Sequence, residues 1–241
     1  DQGIRLYYGF NHLEAYRAFA EASRLDADCA MSYWGQALTL GPNINAPMDA
    51  SDESRVVEAV NKALSLMDNA SPKEKALINA IAKRYVANPP ADRHPLDEAY
   101  AAAMREVHQQ YPEDPDVAAL SAEAIMDLHP WDYWLKDGTP QSWTPEILAL
   151  LEGVLASNVN HPGANHFYIH AVEASADPAK GMASADRLRT LMPNAGHLVH
   201  MPAHINIRTG KYHEGSLTNQ ASIKADLAYL TECHSQGLYA L

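Results

Sequence analysis

Three histidines in the stretch NAGHLVHMPAH, namely His197, His200 and His204, stand three and four residues apart. A second set upstream, His166, His170 and Glu173, has spacings of four and three. An α-helix turns by about 100° per residue, so each set falls within an arc of about 60° on its helix. If the two segments are first helices of consecutive hairpins, they neighbour one another on a concave face. Five imidazoles and a carboxylate there make a ligand set for a transition metal, in a metal-dependent enzyme or a metal carrier. Two imidazoles at i and i+4 reproduce the spacing of the zinc-enzyme HExxH helix. Phe167 stands where that motif needs its glutamate, which excludes a zinc protease of that type. Imidazole suits copper, zinc and iron, and the set reads as a copper or zinc site first and an iron site second. Met201 is turned about 100° away from His200, so its thioether is not expected among the ligands. Two plainer readings compete: a polar groove for a peptide or small molecule, and a purely structural hydrogen-bond cluster. Packed imidazoles without a metal repel one another on protonation, which weighs against the second.

Further candidates surround this set. His12, just ahead of the first clear helix, is an additional ligand candidate. Glu123 and Asp127, four apart, suit either carboxylates that orient metal-bound imidazoles or a merely solvated helix face. Trp131 and Trp134 lie in an aromatic segment and suit a substrate wall or a lid. Asn45 in GPNIN suits a ligand hydrogen bond, although turn chemistry also explains it. His94, His108, His213 and His234 read as ordinary surface or hydrogen-bonded histidines. No nucleotide-binding loop, GxSxG elbow or cysteine-protease signature is present, so any catalysis would centre on the metal, as hydrolysis or oxidation.

The elements that must position these residues are helices. Apolar residues recur at three and four rather than at two, the mark of an amphipathic helix. Helical runs pair across short turns at 69–72, 113–115, 160–162 and 193–196. Pro72, Pro115, Pro162 and Pro193 punctuate these turns, and a proline suits the first turn of a helix, where the missing N–H costs nothing. Asp26 and Asp28 suit a helix start. Pro202 has two readings: it bends one continuous helix so that His200 and His204 aim at one point, or it ends that helix near Met201. Gly196 suits a tight entry into the segment. Segments 41–54 and 129–145 are longer than a hairpin array needs, and long ordered loops are often functional. The expected fold is all-α, a right-handed superhelical solenoid of antiparallel helix pairs over 1–241.

Composition bounds the partners. The chain of 241 residues carries 18 basic and 30 acidic side chains, a net charge of −12. That balance argues against nucleic acid, whose phosphates need a basic face. No apolar run is long enough to span a membrane. Cys29 and Cys233, far apart, make no disulfide framework, and Cys29 reads as a small buried hydrophobe.

The blocks FNHLEAYRAFAEASRLDADCAMSYWGQALTLGPNIN, HPGANHFYIHAVEAS and AGHLVHMPAHINIRTGKY resemble a family of bacterial tetratricopeptide-repeat proteins. The resemblance implies a TPR solenoid, and a longer chain from which this sequence is an excerpt. It also implies a second function class, a non-catalytic scaffold binding a peptide or partner protein in its groove. The bacterial cytoplasm and periplasm are equally compatible with it.

Overall fold

The computed structural model describes residues 1–233. It is all-α, with no strand among the described residues and only isolated bridges at Asn43–Ala46 and Trp134–Pro140. The helices are, in order, α1 (Gln2–Tyr8), α2 (His12–Leu25), α3 (Ala30–Thr39), α4 (Glu53–Ser65), α5 (Pro72–Ile81), α6 (His94–Gln110), α7 (Pro115–Leu128), α8 (Thr144–Ser157), α9 (Pro162–Val172), α10 (Met182–Leu191), α11 (Gly196–His200), α12 (Pro202–Arg208) and α13 (Tyr212–Glu232). Contacts divide the chain into two compact units. The first holds residues 1–4 and 12–130, the second residues 5–11 and those from 131 onward.

In the first unit, helices adjacent in sequence pack on one another, from α2 on α3 through α6 on α7. Local chemistry sets the starts. Ser71 and Glu74 form a capping box before α5 with Pro72 at the first position, so two otherwise orphaned N–H groups are satisfied reciprocally. Asp114 accepts from Val117 N and precedes Pro115 in α7. The expectation for Asp26 and Asp28 does not hold. The residue before α3 is Cys29, without a side-chain cap, while Asp26 Oδ1 accepts from Asp28 N in a tight turn one step earlier. Cys29 is accordingly half-buried at a helix entry. The core around Ile78, Ile81, Met104 and Ile125 also encloses Arg84, which is 2% exposed. Its guanidinium meets Asp97 at 2.6 Å and Asp127 at 2.8 Å and lies 4.8 Å over the Tyr100 ring.

In the second unit, α8 packs on α9, α9 on α10, α10 on α12, and both α11 and α12 on α13. Ile147, Leu151, Phe167, Ile169, Leu188, Leu198 and Ile205 are fully buried. Pro162 begins α9, and His161 Nδ1 caps it by accepting from Ala164 N at 3.0 Å. Two glycines of this unit lie in close approach to side chains. A Cβ on Gly163 would lie 2.4 Å from Tyr8 Cδ1, and one on Gly196 would lie 1.8 Å from Asp226 Oδ1. The tight entry expected at Gly196 is therefore a matter of packing against α13. Gly163→Ala is expected to destabilise the protein by about 1–3 kcal/mol, the usual cost of overfilling a packed interior. Thermal unfolding of the variant checks this, and an unchanged melting temperature would contradict it.

The aromatic segment ahead of α8 is ordered by its own hydrogen bonds. Trp134 Nε1 donates to Ala171 O at the end of α9 at 2.6 Å, and Trp143 Nε1 donates to Asp132 O at 2.8 Å. Thr144 Oγ1 donates to Tyr133 O. Trp131 adopts a left-handed backbone (φ 63) and is 50% exposed.

Candidate metal centre

His166, His170 and Glu173 sit on α9 and its C-cap, His197 and His200 on α11, and His204 on α12. Helical spacing puts His170 one turn beyond His166, and their Nε2 atoms are 3.1 Å apart. The packing of α9 beside the α11–α12 segment supplies the rest. His197 Nε2 lies 3.0 Å from His166 Nε2, and His204 Nδ1 lies 3.0 Å from Glu173 Oε2. His170 Nδ1 is 3.2 Å from the other carboxylate oxygen, Glu173 Oε1. The two stripes thus meet in one cluster. His166, His170 and His197 offer ligand atoms within 4.8 Å of one another, as do His170, Glu173 and His204.

Both readings of Pro202 describe part of what occurs. The hydrogen-bonded helix stops at His200 and a new one begins with Pro202. Met201 between them keeps helical dihedrals (φ −49, ψ −37), so the helical spacing carries across the break. His200 Nε2 and His204 Nε2 end up 3.0 Å apart. Met201 itself is buried in the core, in keeping with its exclusion from the ligand set.

The rings are held from behind. His166 Nδ1 donates to the carbonyl of Tyr8 at 2.7 Å, and His200 Nδ1 lies 2.7 Å from Asn219 Oδ1 on α13. Phe10 meets the His166 ring edge-on at 4.5 Å and stacks on His197 at 5.0 Å. Trp131 approaches His170 edge-on at 5.1 Å. Such partners fix ring orientation and tautomer in metal sites.

Burial dominates the electrostatics. It pushes His170 down to about 4 against the pull of Glu173. It holds His197 well below the usual range, with the surrounding imidazoles acting in the same direction. Burial also lowers His200, with Asn219 opposing. For Glu173, burial alone would raise the pKa, but the hydrogen bonds from His170 and His204 outweigh it and bring the group down to about 2. The carboxylate is therefore ionised and the His170 and His197 rings are neutral near pH 7. In the unfolded chain these histidines return to about 6.5. As pH falls below that value the unfolded state takes up protons that the folded state refuses, so stability is full above about 6.5 and falls towards pH 4. The metal-free protein is expected to melt at a clearly lower temperature at pH 5 than at pH 7, since each tenfold drop in a ring's proton affinity on folding is worth about 1.4 kcal/mol. Equal melting temperatures would contradict neutral buried rings.

The remaining candidates fall elsewhere. His12 and Asn45 lie in the first unit. His12 Nδ1 is 3.5 Å from Asn43 Nδ2, and burial lowers its pKa to about 4. Asn45 is exposed, and its N–H donates to Asn43 Oδ1 at 2.9 Å, which is turn chemistry. Asp127 is engaged by Arg84, so its hydrogen bonding serves the first unit's core and not an imidazole; Glu123 is buried on the same helix. Trp134 is tied to the backbone of α9, whereas Trp131 touches a ring of the cluster. His213 is exposed near the start of α13, and His234 lies outside the described residues. Sequence reasoning missed the Tyr8 carbonyl, Phe10 and Asn219. A backbone carbonyl has no residue-type signal, and nothing in the spacing of Phe10 or Asn219 ties them to the histidines.

No family model and no curated protein matches this chain.

Proposed function

We propose that this protein binds a transition metal through His166, His170 and His197, with His200, His204 and Glu173 completing the cluster. One observation carries the reading. His166 Nδ1 is turned to a carbonyl oxygen and His170 Nδ1 to a carboxylate oxygen, and both partners only accept. Each Nδ1 therefore holds its ring's hydrogen, and each neutral ring presents a lone pair on Nε2. Those two lone pairs face each other at 3.1 Å. Facing lone pairs repel unless a cation lies between them, and burial disfavours a proton there. Ligand nitrogens around a tetrahedral ion at about 2.0–2.1 Å are about 3.3 Å apart, close to the separations of His166 from His170 and His197. A structural hydrogen bond between His166 and His170 would need an Nε2–H that these tautomers do not supply.

The donor set of neutral imidazoles with one carboxylate favours copper or zinc, with iron third. A bound ion would supply either a Lewis acid that acidifies water or a redox centre. The chain's own groups orient the ligands and keep the inner rings out of water, while the half-buried His200 and His204 leave a route to solvent. The cluster thus suits a metal-dependent hydrolase or oxidase better than an inert structural site, whose ligands are usually all enclosed. The paired helices and first-turn prolines of each unit support a TPR-like α-solenoid as the frame.

Elemental analysis of untagged protein tests the reading. At least one equivalent of copper, zinc or iron is expected, and His166→Ala is expected to lower the metal content. Wild-type protein that neither carries metal nor takes up Zn2+ or Cu2+ on dialysis would sink the proposal and leave the peptide-binding scaffold standing.

A further inference from the structure

Metal binding by the cluster, the reading on which this inference rests, leaves open how many ions it takes. The outer two rings answer this. His204 Nδ1 lies 3.0 Å from Glu173 Oε2, and His200 Nδ1 lies 2.7 Å from Asn219 Oδ1. Both oxygens accept, so both Nδ1 atoms carry the hydrogen, and in their neutral, metal-binding form both rings present Nε2 lone pairs. These two nitrogens face each other at 3.0 Å. The arrangement at His166 and His170 is therefore repeated, on a separate pair of rings and with a separate set of orienting groups.

One ion does not serve both pairs. Ligand atoms sharing an ion at about 2.0–2.1 Å are at most about 4.2 Å apart. Among the described residues, His200 belongs to neither of the triplets whose ligand atoms lie within 4.8 Å of one another. The triplet His170, Glu173 and His204 offers a different place for a second ion, between the Nδ1 atoms and the carboxylate. An ion there would displace the Nδ1 hydrogens and leave the facing Nε2 pair of His200 and His204 unexplained.

We propose that the cluster holds two transition-metal ions. The inner ion binds Nε2 of His166, His170 and His197, and the outer ion binds Nε2 of His200 and His204. Glu173 orients one ring of each through its two oxygens. The inner ligands are 0%, 1% and 7% exposed, whereas the His204 side chain is 21% exposed. With two protein ligands on its accessible side, the outer ion keeps coordination positions for water or a small oxygen-donor ligand. It is the ion at which substrate would bind.

Titration of metal-stripped full-length chain with Zn2+ against a chromophoric chelator, repeated with Co2+ by visible absorption, tests this. Two equivalents are expected for wild type, and one for both the His200→Ala/His204→Ala and His166→Ala/His197→Ala variants. A wild-type stoichiometry of one overturns the two-ion assignment and leaves metal binding intact, whereas zero overturns both. Two equivalents that survive His200→Ala/His204→Ala put the second ion elsewhere and overturn it as well. Asn219→Leu retains every ligand and guards against loss of fold, which far-ultraviolet circular dichroism monitors. It is expected to weaken the second binding step at least tenfold and leave the first unchanged. Equal weakening of both steps, or of neither, counts against the proposal.

Discussion

Arg84→Met is expected to destabilise the protein by about 3–5 kcal/mol, the usual consequence of removing one partner from a buried ion pair. The guanidinium is 2% exposed and holds two carboxylates, Asp97 and Asp127, at 2.6 and 2.8 Å. Asp127 is itself 2% exposed on its side chain. Burial raises its pKa to about 6, although Arg84 pulls the other way. Without Arg84 that carboxylate must take up a proton or stay charged in an apolar interior, and either course costs free energy. Methionine fills much of the aliphatic volume, so little of the loss is a cavity. Chemical denaturation measures the effect. Arg84→Met with Asp127→Leu should recover part of it, since replacing a buried pair by apolar groups is far less costly than breaking it. A loss below about 1 kcal/mol for the single change would show the network to be solvated.

Glu173→Gln is expected to weaken metal binding by about 10–100-fold, the range seen when a ligand's orienting partner is removed. The carboxylate presents an acceptor oxygen to His170 Nδ1 and another to His204 Nδ1. A carboxamide presents one acceptor and one donor, so it can hold only one of the two rings in its present tautomer. The other must move its hydrogen to Nε2, the atom that faces a neighbouring imidazole nitrogen and is the proposed ligand. The change is nearly isosteric, so a large loss of affinity with a preserved melting temperature separates orientation from packing. Unaltered affinity would mean that Glu173 does not set the tautomers.

The parts of this molecule that were legible in the sequence are those set by local periodicity. Spacings of three and four placed His166, His170 and Glu173 on one face and brought His200 to His204, because those contacts lie within about one turn. Pro72, Pro115 and Pro162 marked helix starts for an equally local reason. The contacts that join the stripes, His197 to His166 and His204 to Glu173, span 31 residues each. They followed only from taking α9 and the α11–α12 segment as first helices of consecutive hairpins, which neighbour one another. The Tyr8 carbonyl lies 158 residues from His166 and no local rule reaches it. Asp127 was misread for the same reason, since helical spacing fixes which residues share a face but not which distant cation claims a carboxylate. Asp26 and Asp28 fit a cap by type, yet their turn closes before α3 begins.

Trp131, half-exposed with its ring centre 5.1 Å from that of His170, has an optical consequence. An excited indole that close to an open-shell ion loses its energy by electron transfer, whereas closed-shell Zn2+ leaves it bright. Emission from the native chain is therefore expected to report, with no dye attached, which kind of ion is added to the proposed inner position: dimmer with Cu2+, unchanged with Zn2+, and with the difference contributed by this ring lost in Trp131→Phe.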